Sequence, residues 1–253
     1  MAIPEVDSYR EKFQSTDIAR VYDEILYDSA SYESLIWEME KGLLLGKLEE
    51  FRRTHPRIEC LDFATGTGRI LSFLENVVDE ATGIDVSAYM VERARQNVKC
   101  ARVLHCDLTK VDPDPVAKYD LITAFRFIAN AELGLRVSAM RSLTKKLRDR
   151  SSIIIFNNHR NIRSYKAFLR PMDRMRRPGG LYRTSGNFLS SEKVQDLVDA
   201  VGLRVRQVHG YGLLSGKLRP VLSFARQLEW ERWLSATGLA MFGSCQLYVC
   251  TRR

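Results

Sequence analysis

The 253-residue sequence lacks the marks of a secreted, membrane-spanning or metal-centred protein. Its five cysteines, Cys60, Cys100, Cys106, Cys245 and Cys250, are odd in number and form no Cys-x-x-Cys pair. They fall in or beside strand-like runs and read as buried free thiols, which argues against a disulfide framework or a zinc site. No uninterrupted apolar run is long enough to cross a bilayer, and Met1-Ala-Ile-Pro-Glu has neither a basic nor an apolar leader region. A soluble, cytoplasmic protein without a metal is expected. No internal repeat or low-complexity stretch is present, so a solenoid is excluded. Only four histidines are available as bases.

What is present suffices for one sizeable α/β core: 45% of residues are hydrophobic, and the length calls for no second domain. One domain over 1–253 is expected, with a helical N-terminal cap (1–53), a core (54–157), a basic insertion (158–189) and a C-terminal part of the sheet (190–253). The cap follows from Leu35, Ile36, Met39, Leu43, Leu44, Leu48 and Phe51, spaced by three and four. The formal charge of +8 is local. Between Arg160 and Arg183 stand eight Lys or Arg, Arg174, Arg176 and Arg177 among them, against the single acid Asp173. That segment alone carries +7.

The chain is organised around Cys60-Leu61-Asp62-Phe63-Ala64-Thr65-Gly66-Thr67-Gly68-Arg69, followed by Asp85 at the end of a second apolar run. An apolar run, a glycine turn and an amphipathic stretch from Ile70 to Val77 predict strand, tight turn and helix. Gly66 and Gly68 let backbone approach a ligand, and Asp85 is placed to accept both hydroxyls of a ribose. A dinucleotide fingerprint requires a third glycine, but Leu71 or Arg69 stands there in either register. Asp62 suits a cationic ligand better than a pyrophosphate. Further along, Ala81–Asp85 and Ala101–Cys106 read as strands, with Ser87 capping a helix to Val98. Tyr119–Phe127 reads as a fourth strand and Glu132–Arg148 as a helix with Leu133 and Leu135 mostly inward. Ser151–Phe156 reads as strand five.

In these residues the sequence resembles the class I S-adenosylmethionine-dependent methyltransferases. Their first motif reads Asp-x-Gly/Ala-x-Gly-x-Gly, and their second is an acidic residue ending the second strand. The resemblance runs roughly from Tyr22 to Val249 and is sharpest between Cys60 and Asp107. It implies a Rossmann-like, seven-stranded, mostly parallel sheet with an antiparallel last strand and helices on both faces. It implies S-adenosylmethionine held by Asp62, Ala64, Thr65, Gly66, Gly68 and Arg69, with the ribose on Asp85 beside Val86. Met90 would stand near the adenine, although a methionine at helical spacing also suits a core. Asp107, beside Leu108, would receive the adenine amino group. Ala124 and Phe125, at the tip of strand four, would edge the transferable methyl. Tyr22, in a Tyr-Asp segment typical of this class, and Tyr27 would lie near the methionine end; the competing reading is that they only cover apolar surface.

Toward the acceptor, Arg126, Asn158, Arg174, Arg176, Arg177 and Tyr211 are the expected contacts, and a basic lid suits an anionic molecule. An alternative is a solvated surface segment. His159, directly after strand five, is the first candidate base, and His209, ending strand six, the second. Nucleic acid is disfavoured, because no RNA-binding module and no Asn/Asp-Pro-Pro-Tyr sequence is present. The excursion from Arg219 to Met241, with Trp230 and Trp233, leaves contact with a membrane surface or a second copy open beside ordinary core packing. The function expected is O-methylation of a small-molecule or glycan acceptor, phosphorylated or lipid-linked in one version. Competing readings are N-methylation of an amine, a nicotinamide-dependent oxidoreductase and a methyltransferase-like subunit without catalysis.

Overall fold

The computed structural model describes residues 31–169, 188–218 and 221–253. Seven strands form one sheet in the order β3-β2-β1-β4-β5-β7-β6. They are β1 (Glu59–Phe63), β2 (Glu80–Asp85), β3 (Arg102–His105), β4 (Leu121–Ala124), β5 (Ile153–Asn158), β6 (Leu203–Tyr211) and β7 (Cys245–Arg252). β3 through β5 pair in parallel, whereas β7 runs antiparallel to both β5 and β6. This is the Rossmann-like arrangement expected, with the last strand inserted inside the sixth.

The helices that flank the sheet include α1 (Tyr32–Arg52), α2 (Arg69–Leu74), α3 (Ala88–Asn97), α4 (Leu133–Lys146), α5 (Ser191–Ala200) and α6 (Phe224–Ser235). Four begin at a serine cap: Ser31, Ser87, Ser190 and Ser223 accept the N–H of Ser34, Met90, Lys193 and Arg226. The strands sort their residues by parity onto two cores. Ile154 and Phe156 pack with Met140, Leu143, Leu197 and Tyr248 beneath α4 and α5. Ile153 and Ile155 face the other way, onto Ile36, Met39, Leu44 and Leu48 of α1. β5 is buried along its whole length, as a strand covered on both faces must be.

Four expectations are corrected. β4 ends at Ala124, not at Phe127, because Arg126 turns into the left-handed region with φ +58°. Leu133, in the first turn of α4, is 67% exposed. α2 stops at Leu74, short of Val77. Cys100 is exposed and Cys106 half-buried, so burial holds only for Cys60, Cys245 and Cys250.

Candidate active site

The site begins where β1 ends. Ala64, Gly66 and Gly68 all take positive φ, so the chain reverses within a few residues and aims backbone at the space above the strand tips. Only open space lies where a Cβ on Gly66 would point. At Gly68, the residue before α2, a Cβ would meet Ala94 of α3 at 3.1 Å, so this glycine seats two helices together. The third glycine that a dinucleotide turn uses for helix-on-strand packing has its counterpart on β2: a Cβ on Gly83 would lie 2.5 Å from Leu71. The close approach is kept and the glycine has changed sides.

Two carboxylates stand beneath this turn. Asp62, 1% exposed, accepts the hydroxyls of Thr65 (2.6 Å) and Thr123 (2.7 Å), one on each oxygen. Burial pushes its pKa up to about 6, against the pull of the two hydroxyls. Asp85 accepts the N–H of Gly66 (2.8 Å) on Oδ2 and that of Ser87 (2.9 Å) on Oδ1, and burial raises its pKa as well. Each Asp85 oxygen keeps a lone pair, so the carboxylate can still accept two hydroxyls. Asp107 caps its own turn by accepting the N–H (3.1 Å) and hydroxyl (2.6 Å) of Thr109. It also lines the pocket, so the capping and ligand-facing readings are compatible.

The opposite wall is the tip of β4. Arg126 is held left-handed because its N–H donates to Asn157 Oδ1 (2.7 Å) and its carbonyl accepts from Asn130 Nδ2 (2.6 Å). Its guanidinium pairs with Glu33 of α1. Behind it, the Arg69 guanidinium lies 5.2 Å from the Trp37 ring centre and 4.0 Å from Glu40 Oε2. Glu40 is fully buried and accepts Asn157 Nδ2 (2.7 Å) and the Tyr211 hydroxyl (2.8 Å).

One pocket joins these parts, with about 950 Å³ of space including its open mouth. Of the residues expected from the sequence, Asp62, Ala64, Thr65, Gly66, Arg69, Asp85, Val86, Met90, Asp107, Phe125 and Arg126 line it. Gly68, Leu108 and Ala124 stand behind the lining, the last two in the core under α4. Tyr22, Tyr27, Arg174, Arg176 and Arg177 lie outside the described residues.

Four other expected residues are not brought to the pocket wall. Asn158 is fully buried, its amide donating to Leu189 O (3.2 Å) and its oxygen accepting from Arg160 N (3.2 Å). Tyr211 is fully buried against Glu40, and burial and that carboxylate raise its phenol well above the usual range. His209 sits on outermost β6, where burial and Lys47 lower its pKa. His159, past the end of β5, has an Nδ1 with no hydrogen-bond partner among the described residues. Burial, then Arg126, Arg160 and Lys166, hold it well below the usual histidine value, so it is neutral at pH 7. Phe127, Asn130, Cys106 and Thr109 line the pocket without having been expected. No group of three His, Cys, Asp or Glu among the described residues could hold a metal ion.

Residues 60–150 match the family model described as a methyltransferase domain. Residues 60–150 are thus those of a methyltransferase domain, and the chain has the fold of the class I S-adenosylmethionine-dependent methyltransferases. No curated protein matches it in sequence. Its fold is shared with solved structures that are far apart in sequence. Magnesium protoporphyrin IX methyltransferase from Synechocystis PCC 6803, solved with bound SAH, is 13% identical over 96% of this chain and 98% of its own, with a TM-score of 0.65. A methyltransferase from Clostridium acetobutylicum is 14% identical over 93% and 98%, at 0.58. DhpI, solved as a SAM-HEP complex, is 16% identical over 94% and 93%, also at 0.58. In this chain, as the strand order requires, the pocket lies at the carboxyl ends of the strands, with β1 and β4 meeting at its centre.

Proposed function

We propose that this methyltransferase moves the methyl group of S-adenosylmethionine to an oxygen of a small-molecule or glycan acceptor, by in-line transfer without a metal. The observation that carries the reading is the single pocket running from Met90, Asp85 and Asp107 at one end to Phe125 and Arg126 at the other. The residues fit the cofactor. Asp85 retains two acceptor positions for ribose hydroxyls, Gly66 leaves room for a ligand against backbone, and Met90 offers an apolar face. Asp62 supplies negative charge for a ligand bearing a sulfonium and an ammonium.

The sulfonium methyl is electrophilic as bound, so the protein's part is to align a nucleophile and exclude water. The left-handed turn at Arg126, pinned by Asn157 and Asn130, fixes the wall between cofactor and acceptor. His159 is the group proposed to take the acceptor's proton: it is neutral, and its Nδ1 has no competing partner among the described residues. With cofactor saturating, replacing it by Gln should lower kcat at least tenfold with little change in cofactor affinity and should remove the acidic limb of the kcat profile. An unaltered profile would assign the proton elsewhere.

The cofactor reading is tested by calorimetry with S-adenosylhomocysteine and, separately, NADH. Micromolar binding of the first alone supports it. Binding of NADH alone would overturn it.

A further inference from the structure

Helix α1 buries an acid where its apolar stripe needs none. Ile36, Met39, Leu44 and Leu48 already hold α1 against the sheet, yet Glu40, in the middle of that face, is fully buried as well. A buried carboxylate is a costly way to seat a helix, and an apolar side chain of similar size would do so at less cost. What Glu40 does instead is read from its bonds. Its Oε1 accepts the Asn157 Nδ2 of β5 (2.7 Å) and the Tyr211 hydroxyl of β6 (2.8 Å), across 117 and 171 positions of chain. Its Oε2 accepts from no described residue, and Arg69 Nη2 stands 4.0 Å from it.

The two ends of the Asn157 amide are nearly the same size, so its direction has to be imposed. Its oxygen meets the Arg126 N–H (2.7 Å) while its nitrogen meets Glu40. Turned over, it would set N–H against N–H and oxygen against carboxylate, and both bonds would be lost. A carboxylate only accepts, so Glu40 allows one direction, and the Tyr211 hydroxyl secures the same oxygen. Arg126 depends on the result. Its φ of +58° is one that a residue other than glycine keeps only where its surroundings hold it. Asn130 holds its carbonyl from within the same turn, and Asn157 holds its N–H from the neighbouring strand. Phe125 and Arg126 both line the pocket, whereas Glu40 does not. We infer that Glu40 is a positioning residue of the methyl-transfer site: from α1 it sets the direction of the Asn157 amide, and that amide holds the Arg126 turn in the shape of the acceptor-side wall. This rests on the methyltransferase reading and adds to it a residue that acts from behind the pocket.

The test follows hydrogen exchange of the Arg126 N–H in the full chain, beside calorimetry with S-adenosylhomocysteine and with sinefungin, which has an amine-bearing carbon where the cofactor has its methylated sulfur. Glu40→Met removes the acceptor at nearly constant volume. Exchange at Arg126 should become about tenfold faster and sinefungin should bind about fivefold more weakly, with S-adenosylhomocysteine affinity within about twofold of wild type. Glu40→Gln keeps an oxygen for Asn157 and Tyr211 and puts its nitrogen in the place of Oε2, so all three values should stay within about twofold of wild type. Where Glu40→Met alone does not fold, adding Tyr211→Phe removes the second orphaned donor, and the same readouts apply. Slow exchange at Arg126 in the folded variant overturns the inference. So does equal damage in the Gln and Met variants, which would assign the effect to charge beside Arg69. A loss of S-adenosylhomocysteine affinity as large as that of sinefungin would make Glu40 a support of the fold and overturns it too. Failure of S-adenosylhomocysteine to bind the wild type overturns the methyltransferase reading, and the exchange rates then still decide whether Glu40 directs Asn157.

Discussion

Asp62 is buried beneath the turn, and burial lifts its carboxyl to about pKa 6 although two threonine hydroxyls donate to it. Its pKa in the folded chain lies above the ordinary aspartate value, so its contribution to folding is complete at low pH and is lost as pH rises through 6. A bound cation reverses the preference by favouring the ionised form. Affinity for S-adenosylhomocysteine should accordingly be level above neutrality and fall by up to about tenfold per unit below pH 6. A profile that is flat from pH 5 to 7.5 would show that Asp62 does not meet the ammonium. Asp85→Ala should weaken cofactor binding by about 2 kcal/mol or more, since an acceptor for two hydroxyls and the clamp on Gly66 N–H go together. Unchanged calorimetric affinity in a folded variant would refute the ribose contact. At this scale the sequence was informative where a residue's neighbours in the chain set its position. Asp62, Gly66 and Asp85 sit at strand tips that periodicity locates. Asn130 and Thr109 reach the pocket through loop turns, and Trp37 reaches Arg69 across a helix packing; no local pattern encodes such contacts.

Elements were legible to the extent that burial alone shaped them. The apolar stripe of α1 and the serine cap of α3 appeared in the expected places, and β5 lies two residues further on than the run Ser151–Phe156 suggested. β4 was drawn too long because Asn157, on the adjacent strand, captures the Arg126 N–H and ends the extended run. That constraint lies 31 positions away. Glu231 on α6 shows the same principle. Within a helix pattern it reads as a surface acid, yet it is fully buried and accepts three successive N–H groups after β6, at 2.5, 2.8 and 2.9 Å. Glu231→Gln should cost about 2–4 kcal/mol, because a neutral amide offers one acceptor oxygen to three donors. A urea unfolding free energy within about 0.5 kcal/mol of wild type would show that the loop holds itself. Nearby, Gly210 faces the 3-10 turn Gly238–Phe242 so closely that a Cβ would lie 1.8 Å from Ala240 O. Gly210→Ala should therefore lower stability by about 1–3 kcal/mol as that turn is pushed away.

For the whole molecule, the pocket draws its walls from the tips of β1, β2 and β4 and the turn after β3, so a ligand there ties the sheet's parallel half together. At a hundredfold excess over its Kd, S-adenosylhomocysteine should add about 2.7 kcal/mol and raise Tm by roughly 5–10 °C. NADH at the same concentration should leave Tm where it was. The strand order also bears on synthesis. β7, at Cys245–Arg252, is made after both β5 and β6, yet it fills the slot between them. While the chain is leaving the ribosome, β5 therefore has an open hydrogen-bonding flank and β6 has no neighbour. Both wait until residue 252 has cleared the exit tunnel. The parallel half can close around its pocket earlier, which makes the nascent protein a ligand-competent half beside an unsealed seam, and makes that seam the place where a chaperone would bind first.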